Sequence, residues 1–205
     1  TWTSAGSWLP TRATAEPVSA LFNGRLYLAL QALATVGRTP RIVMGAFDPA
    51  SLARLADSDS PIDPVVHLPD RLANTQEQPS LAVANGRLFL FTRTPTNNTL
   101  TYWSIGPGES SYSAPETLTA TSTKPVGAIF DPSTGEFIVA RTQNLNRNNR
   151  LVVSRFSITP DNRQLVFASE EIVGGPDGGV AAASRPAVVL FTPRGSSKPD
   201  LHVAY

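Results

Sequence analysis

Apolar residues in this chain alternate with polar ones or run in short blocks, and each block is closed by Pro, Gly, Asn or Asp. That spacing follows the two-residue period of a β-strand, and the 3.6-residue period of an amphipathic helix is almost absent. The plainest unit is Ser80-Leu81-Ala82-Val83-Ala84, then Asn85-Gly86, then Arg87-Leu88-Phe89-Leu90-Phe91-Thr92. Asn-Gly supplies the two positive φ values of a type I′ turn, so these runs are expected to form a hairpin. Asn97-Asn98 turns the chain again, residues 99–105 read as a third strand, and residues 115–119 read as an outer fourth.

The phrase recurs along the whole chain. Glu16-Pro17 opens the first copy, with a strand at 18–22, the turn Asn23-Gly24, a return strand at 25–30 and a third at 41–47. Its outer strand is expected at Val65-Val66-His67-Leu68. Lys124-Pro125 opens the third copy, with strands at 126–130, 136–141, 151–158 and 164–168. Arg185-Pro186 opens the fourth, which supplies 187–191 and 201–205. Repeats of four short antiparallel strands are the grammar of a β-propeller blade. The expected fold is therefore all-β: one domain over residues 1–205, with blades at 16–69, 78–120, 124–172 and 185–205. Residues 1–14 are expected to complete the last blade and close a four-bladed ring, since closure removes unpaired strand edges. The alternative is a fragment of a five- to seven-bladed propeller. Small residues at Ala20, Ala82, Ala84, Gly127, Ala128 and Ala187 suit first strands that converge on an axis, where a sandwich interior would take larger ones.

Composition narrows the partners. The formal charge is +1 over 205 residues and no basic run occurs, which argues against nucleic acid as the main partner. Charged residues make up 16% of the chain, below the usual quarter, and with the strand content this points to an exported, extracellular protein. There is no Cys, hence no disulfide framework. No run approaches the roughly 18 apolar residues of a membrane span.

The runs at 79–91 and 20–29 resemble the blade repeats of secreted microbial β-propellers, the fucose-binding lectins and the sialidase-like propellers. The resemblance implies the fold and a glycan-related setting. The turn Asp131-Pro132-Ser133-Thr134-Gly135 lacks the Ser-x-Asp-x-Gly-x-Thr-Trp pattern of a sialidase Asp-box, and Trp103 is the one Trp within the repeats, where fucose-binding propellers repeat an Arg, Glu and Trp set.

Glycoside hydrolysis needs two facing carboxylates about 5 to 10 Å apart. Glu16, Glu77, Asp48 and Asp131 are the candidates, with Glu16 and Glu77 falling just before the Pro of the first two blades. Sugar recognition favours aromatic faces and the guanidinium fork, and Tyr102, Trp103, Arg93, Arg141 and Glu77 form the expected ligand set. His67 and His202 have no second ligand at a zinc spacing, so no metal is expected there. Asp57, Asp59 and Asp63 offer oxygens for calcium but no glycine for the sharp turn. No cofactor is expected. The reading is a secreted, non-catalytic binding or scaffolding module that recognises a glycan or a protein partner through loops on one face. The alternatives are a carboxylate-based glycoside hydrolase or lyase, and an accessory propeller of a larger secreted enzyme or toxin with a partner chain from the same precursor.

If Ala82 lies where blades converge, Ala82→Trp overpacks the interior and costs about 1–3 kcal/mol in urea unfolding. An unchanged unfolding midpoint and slope would remove Ala82 from that position.

Overall fold

The computed structural model describes residues 12–13, 16–33, 40–53, 55, 78–94, 96–109, 112–145, 148–175, 179–182 and 184–205. Fourteen strands run through them: β1 (Arg12–Ala13), β2 (Val18–Phe22), β3 (Arg25–Leu33), β4 (Pro40–Phe47), β5 (Ser80–Ala84), β6 (Arg87–Thr94), β7 (Thr99–Ile105), β8 (Glu116–Thr121), β9 (Gly127–Asp131), β10 (Glu136–Leu145), β11 (Asn148–Ile158), β12 (Leu165–Ile172), β13 (Ala187–Phe191) and β14 (Asp200–Ala204). They form four antiparallel sheets, one for each copy of the phrase. The second sheet runs β5-β6-β7-β8 and the third β9-β10-β11-β12; the first joins β2 and β4 to opposite edges of β3, and the fourth is β13-β14.

The turns follow the sequence closely. Asn23 and Gly24 take φ of 49° and 71°, and Asn85 and Gly86 take 47° and 72°. Both pairs have the left-handed values that a type I′ hairpin requires. In the third copy the link is longer, and the amide of Gly135 donates to the carbonyl of Asp131 at 2.8 Å to close it.

The first strands of successive sheets are neighbours in order: β2 beside β5, β5 beside β9, and β9 beside β13. The sheets therefore stand radially around these inner strands, as the small residues require. Core side chains lie between consecutive sheets. Phe22, Tyr27, Ala29, Met44 and Ala46 of the first sheet meet Leu88, Leu90, Trp103 and Ile105 of the second. On the other face of the second sheet, Phe89, Phe91, Tyr102 and Leu118 meet Val126, Phe137, Val139 and Phe156 of the third. Phe137 anchors this layer edge-on to Phe89 and Phe91, at centroid distances of 4.7 and 5.4 Å. Between the third and fourth sheets the core is smaller: Ala140, Leu151 and Ala182, with Val173, Val188 and Val203 packed on it.

Two expectations need restating. No closed ring is formed among the described residues. Of the segment expected to complete the fourth blade, the two described residues, Arg12 and Ala13, pair instead with Leu33 and Ala32 of β3. They extend the line of β2 along that edge, and the other residues of 1–14 lie outside the described set. The outer strand expected at 65–68 also lies outside it, as do Asp57, Asp59, Asp63 and His67. No helix among the described residues is long and apolar enough to cross a membrane.

Candidate functional site

Each inner strand starts at the same end of the array, and each is entered through a polar residue followed by Pro: Glu16, Gln78, Lys124 and Arg185. Because β2, β5, β9 and β13 are successive neighbours, the repeat brings these four residues to one mouth of the axis. Hydrogen bonds tie the mouth together. Gln78 Nε2 donates to the Glu16 carbonyl at 2.7 Å. The Ala128 amide donates to Ser80 Oγ at 3.0 Å, joining the second and third inner strands. Arg185 Nε donates to the Val126 carbonyl at 3.2 Å, joining the third and fourth.

Arg185 is the most instructive member. Burial pulls its guanidinium below the ordinary arginine value, and the negative charge of Glu16 opposes that pull. Glu16 is thus within electrostatic reach across the axis, yet no ion pair forms between the two. With Nε committed to Val126, Nη1 and Nη2 make no hydrogen bond among the described residues. A planar fork of donors with free positions matches a carboxylate or a pair of neighbouring hydroxyls. Lys124 adds a second cation and Glu16 an acceptor, so the mouth offers both signs of charge.

The ligand set expected from the sequence lies elsewhere. Tyr102 and Trp103 are each only 2% exposed, one ring in each of the two larger inter-sheet cores, so neither presents a face to a sugar. The Tyr102 hydroxyl accepts from the Leu165 amide at 2.9 Å, which pins the second sheet to the third. Arg93 lies on β6 and Arg141 on β10, and both are buried. Arg93 Nε donates to the Ser122 carbonyl at 2.5 Å, and Nη2 donates to Asn98 Oδ1. Arg141 donates to Ser154 Oγ at 2.8 Å and to the Thr121 carbonyl at 2.7 Å, and pairs with Glu170. Both guanidinium groups hold the linker between the second and third sheets. Glu77 lies outside the described residues.

The carboxylates also separate. Asp48 Oδ1 accepts from the amides of Ala50 and Ser51 at 3.0 and 2.7 Å, capping the turn after β4. Asp131 Oδ1 accepts from the Ser133 amide at 2.9 Å and the Ser133 hydroxyl at 2.6 Å. Burial alone would push the Asp131 carboxyl up; the hydrogen bonds from Ser133 and Thr134 outweigh it and leave it below the ordinary aspartate range. These two groups serve turns at the opposite end of the inner strands from Glu16. Glu109 takes both ends of the Arg87 fork, at 2.9 and 2.8 Å, and that bond holds its pKa down. Among the described residues no group of three or more His, Asp or Glu side chains is arranged to hold a metal. His202 stands exposed on β14, edge-on to Phe191 at 6.1 Å.

The sequence contained a signal for the mouth, namely the residue before each repeated Pro. Its change of identity from copy to copy hid it, because a search for a repeated binding residue selects what stays the same.

No protein-family model matches this chain. No curated protein matches it either. Solved structures do. A structure of the sialidase NanB with Optactamide superposes with a TM-score of 0.52 at 12% identity, over 83% of this chain and 25% of that one. The α-L-arabinofuranosidase CtGH43 from Clostridium thermocellum superposes with a TM-score of 0.51 at 15% identity, over 93% of this chain and 67% of that one. Both are β-propellers, so the radial four-stranded sheets described above belong to a propeller-like fold. The chain spans a quarter of the length of NanB and two thirds of the arabinofuranosidase.

The turn-capping carboxylates set an acid limit. Asp131 and Glu109 have folded pKa values below their unfolded ones, near about 3.9 and 4.3. The stability they contribute is present above the unfolded values and is lost as pH falls through the folded ones. Asp131→Asn is expected to reduce the stability difference between pH 7 and pH 3 in urea unfolding. An undiminished difference would contradict the capping role.

Proposed function

We propose that this chain is a carbohydrate-binding propeller module whose ligand seats at the axial mouth formed by Glu16, Gln78, Lys124 and Arg185. The observation that carries the reading is the half-buried Arg185, held through Nε with Nη1 and Nη2 uncommitted beside the charge of Glu16. Such a fork accepts a sugar carboxylate or vicinal hydroxyls, and its partial burial strengthens the contact by excluding water. The likeness to two propellers of the glycoside-hydrolase class supports a sugar as the ligand. The sparse charge of the chain supports an extracellular setting.

A hydrolytic reading has one observation in its favour: Glu16 places a carboxylate at the mouth. Retaining and inverting chemistry both require a second carboxylate facing it. Asp48 and Asp131 are at the far end of the inner strands, so Glu77 is the group on which that reading rests. Binding without turnover is therefore the primary proposal.

Calorimetric titration with neutral arabino-oligosaccharides and with uronate- or sialate-bearing oligosaccharides tests it. One class is expected to bind, and Arg185→Ala is expected to weaken that binding at least about tenfold, equivalent to about 1.4 kcal/mol. Arg93→Lys is expected to leave affinity unchanged. Absence of binding to both classes, or binding indifferent to Arg185→Ala, contradicts the site. Release of reducing sugar that stops in Glu77→Gln would move the conclusion to the hydrolase.

A further inference from the structure

Two hairpins carry the same tip, Asn-Gly-Arg, at 23–25 and 85–87. Their geometry matches. Asn23 and Gly24 have φ of 49° and 71°, and Asn85 and Gly86 have 47° and 72°. All four residues are exposed. A Cβ on either glycine would meet no atom within 4 Å beyond its chain neighbours. The flanking residues, Phe22 with Arg25 and Ala84 with Arg87, pair across each turn, which leaves the glycine amide at the tip to solvent.

The two tips differ in what holds the asparagine. Asn85 Nδ2 donates to Asn162 Oδ1 at 2.9 Å, reaching from the second sheet to the third. The exposed Asn23 carboxamide makes no hydrogen bond among the described residues. Asn162 is a firm anchor. It lies in the turn between β11 and β12, and its amide donates to the Thr159 carbonyl at 2.8 Å. Beside it, Arg163 Nη2 reaches Glu109 Oε1 at 3.4 Å, and the Leu165 amide donates to the Tyr102 hydroxyl at 2.9 Å. Asn85, Glu109 and Tyr102 thus tie the second sheet to this turn.

We propose that Asn23-Gly24 is a spontaneous deamidation and isomerisation site, and that Asn162 guards the equivalent Asn85-Gly86 tip against the same reaction. The Gly24 nitrogen attacks the carbonyl carbon of the Asn23 side chain. A C–N bond forms there, the bond to Nδ2 breaks, and ammonia leaves with the glycine amide proton. Solvent water then opens the succinimide at either carbonyl, giving aspartate or isoaspartate at position 23. Glycine permits the attack because no side chain crowds its nitrogen. The hairpin restrains it, since the asparagine must first leave its left-handed conformation through a local opening. At Asn85 that opening must also break the bond to Asn162, and one net hydrogen bond slows it roughly threefold to tenfold. Arg87, held at both ends of its fork by Glu109, anchors the same tip from its other side.

The product differs from the parent in charge and in backbone. One deamidation takes the formal charge from +1 to zero, and isoaspartate adds a methylene to the main chain of the tip. The tip lies at the end of β2 opposite the mouth, so the change alters the far rim and leaves the proposed ligand seat intact.

The test incubates the full chain in mildly alkaline buffer and follows both tips by peptide mapping, with electron-transfer fragmentation to separate isoaspartate from aspartate. Position 23 is expected to convert roughly threefold to tenfold faster than position 85. Asn162 has φ of 58°, so Asn162→Gly removes the carboxamide without straining that turn. It should raise the rate at position 85 about threefold or more and leave the rate at position 23 unchanged. In urea, where both hairpins are lost, the two positions should convert at nearly equal rates. Four results overturn the proposal: no conversion at position 23, equal rates in the folded protein, a rate at position 85 indifferent to Asn162→Gly, or a difference that persists in urea. The last would assign the difference to the flanking sequence.

Discussion

At two junctions, β5 with β9 and β9 with β13, the innermost strands approach so closely that little side chain fits between them, and the radial stand of the sheets follows from that contact. A Cβ placed on Gly127 would meet the Pro186 carbonyl oxygen at 2.5 Å, so β9 and the entry to β13 are in contact backbone to backbone. At the next junction the same closeness lets Ser80 on β5 accept from the amide of Ala128 on β9. Small residues near the axis force the larger ones outward, where sheets diverge like wedges and phenylalanines fill the widening gap. The aromatic layer around Phe137 is the result; it buries one face of the second sheet, and the cluster around Tyr27, Leu88 and Trp103 buries the other.

The same geometry decides what the mouth can do. When inner strands converge, their first residues converge too, whatever their identity. Glu16, Gln78, Lys124 and Arg185 therefore meet because of backbone packing, and their side chains are free to diverge in chemistry. Gln78 and Arg185 are anchored by their own side chains, Gln78 through Nε2 to the Glu16 carbonyl and Arg185 through Nε to the Val126 carbonyl, and the second anchor orders the fork that the proposed ligand would use. Conversely, Arg93 and Arg141 close from either side on one linker, the segment that carries the chain from the second sheet to the third. A repeated arginine is as well suited to neutralising carbonyls of a buried linker as to grasping a ligand, and repetition alone does not distinguish the two.

Much of the fold was legible in the sequence because its determinants are local. Asn-Gly sets the hairpins at 23–24 and 85–86, Pro marks each inner strand, and two-residue alternation sets the strands between them. β10 and β11 extend beyond the strands expected at 136–141 and 151–158, since Thr142 to Asn144 and Asn148 to Arg150 are polar and their pairing depends on each other. The pairing of Arg12 and Ala13 with β3 was also hidden, because nothing in two residues names a distant partner. The site was less legible. Tyr102 and Trp103 read equally well as sugar platforms and as core, and only the position of the adjoining sheets selects burial.

The central claim is the close radial approach of the inner strands, and Gly127→Ala tests it most directly. The change adds one methyl at a position whose φ lies outside the left-handed region, so backbone strain does not enter. If β9 and β13 meet as described, urea unfolding will show a loss of about 1–3 kcal/mol, the usual cost of overpacking against atoms that cannot retreat. A Gly127→Ala protein as stable as the parent, or more stable, would contradict the radial packing on which the mouth depends.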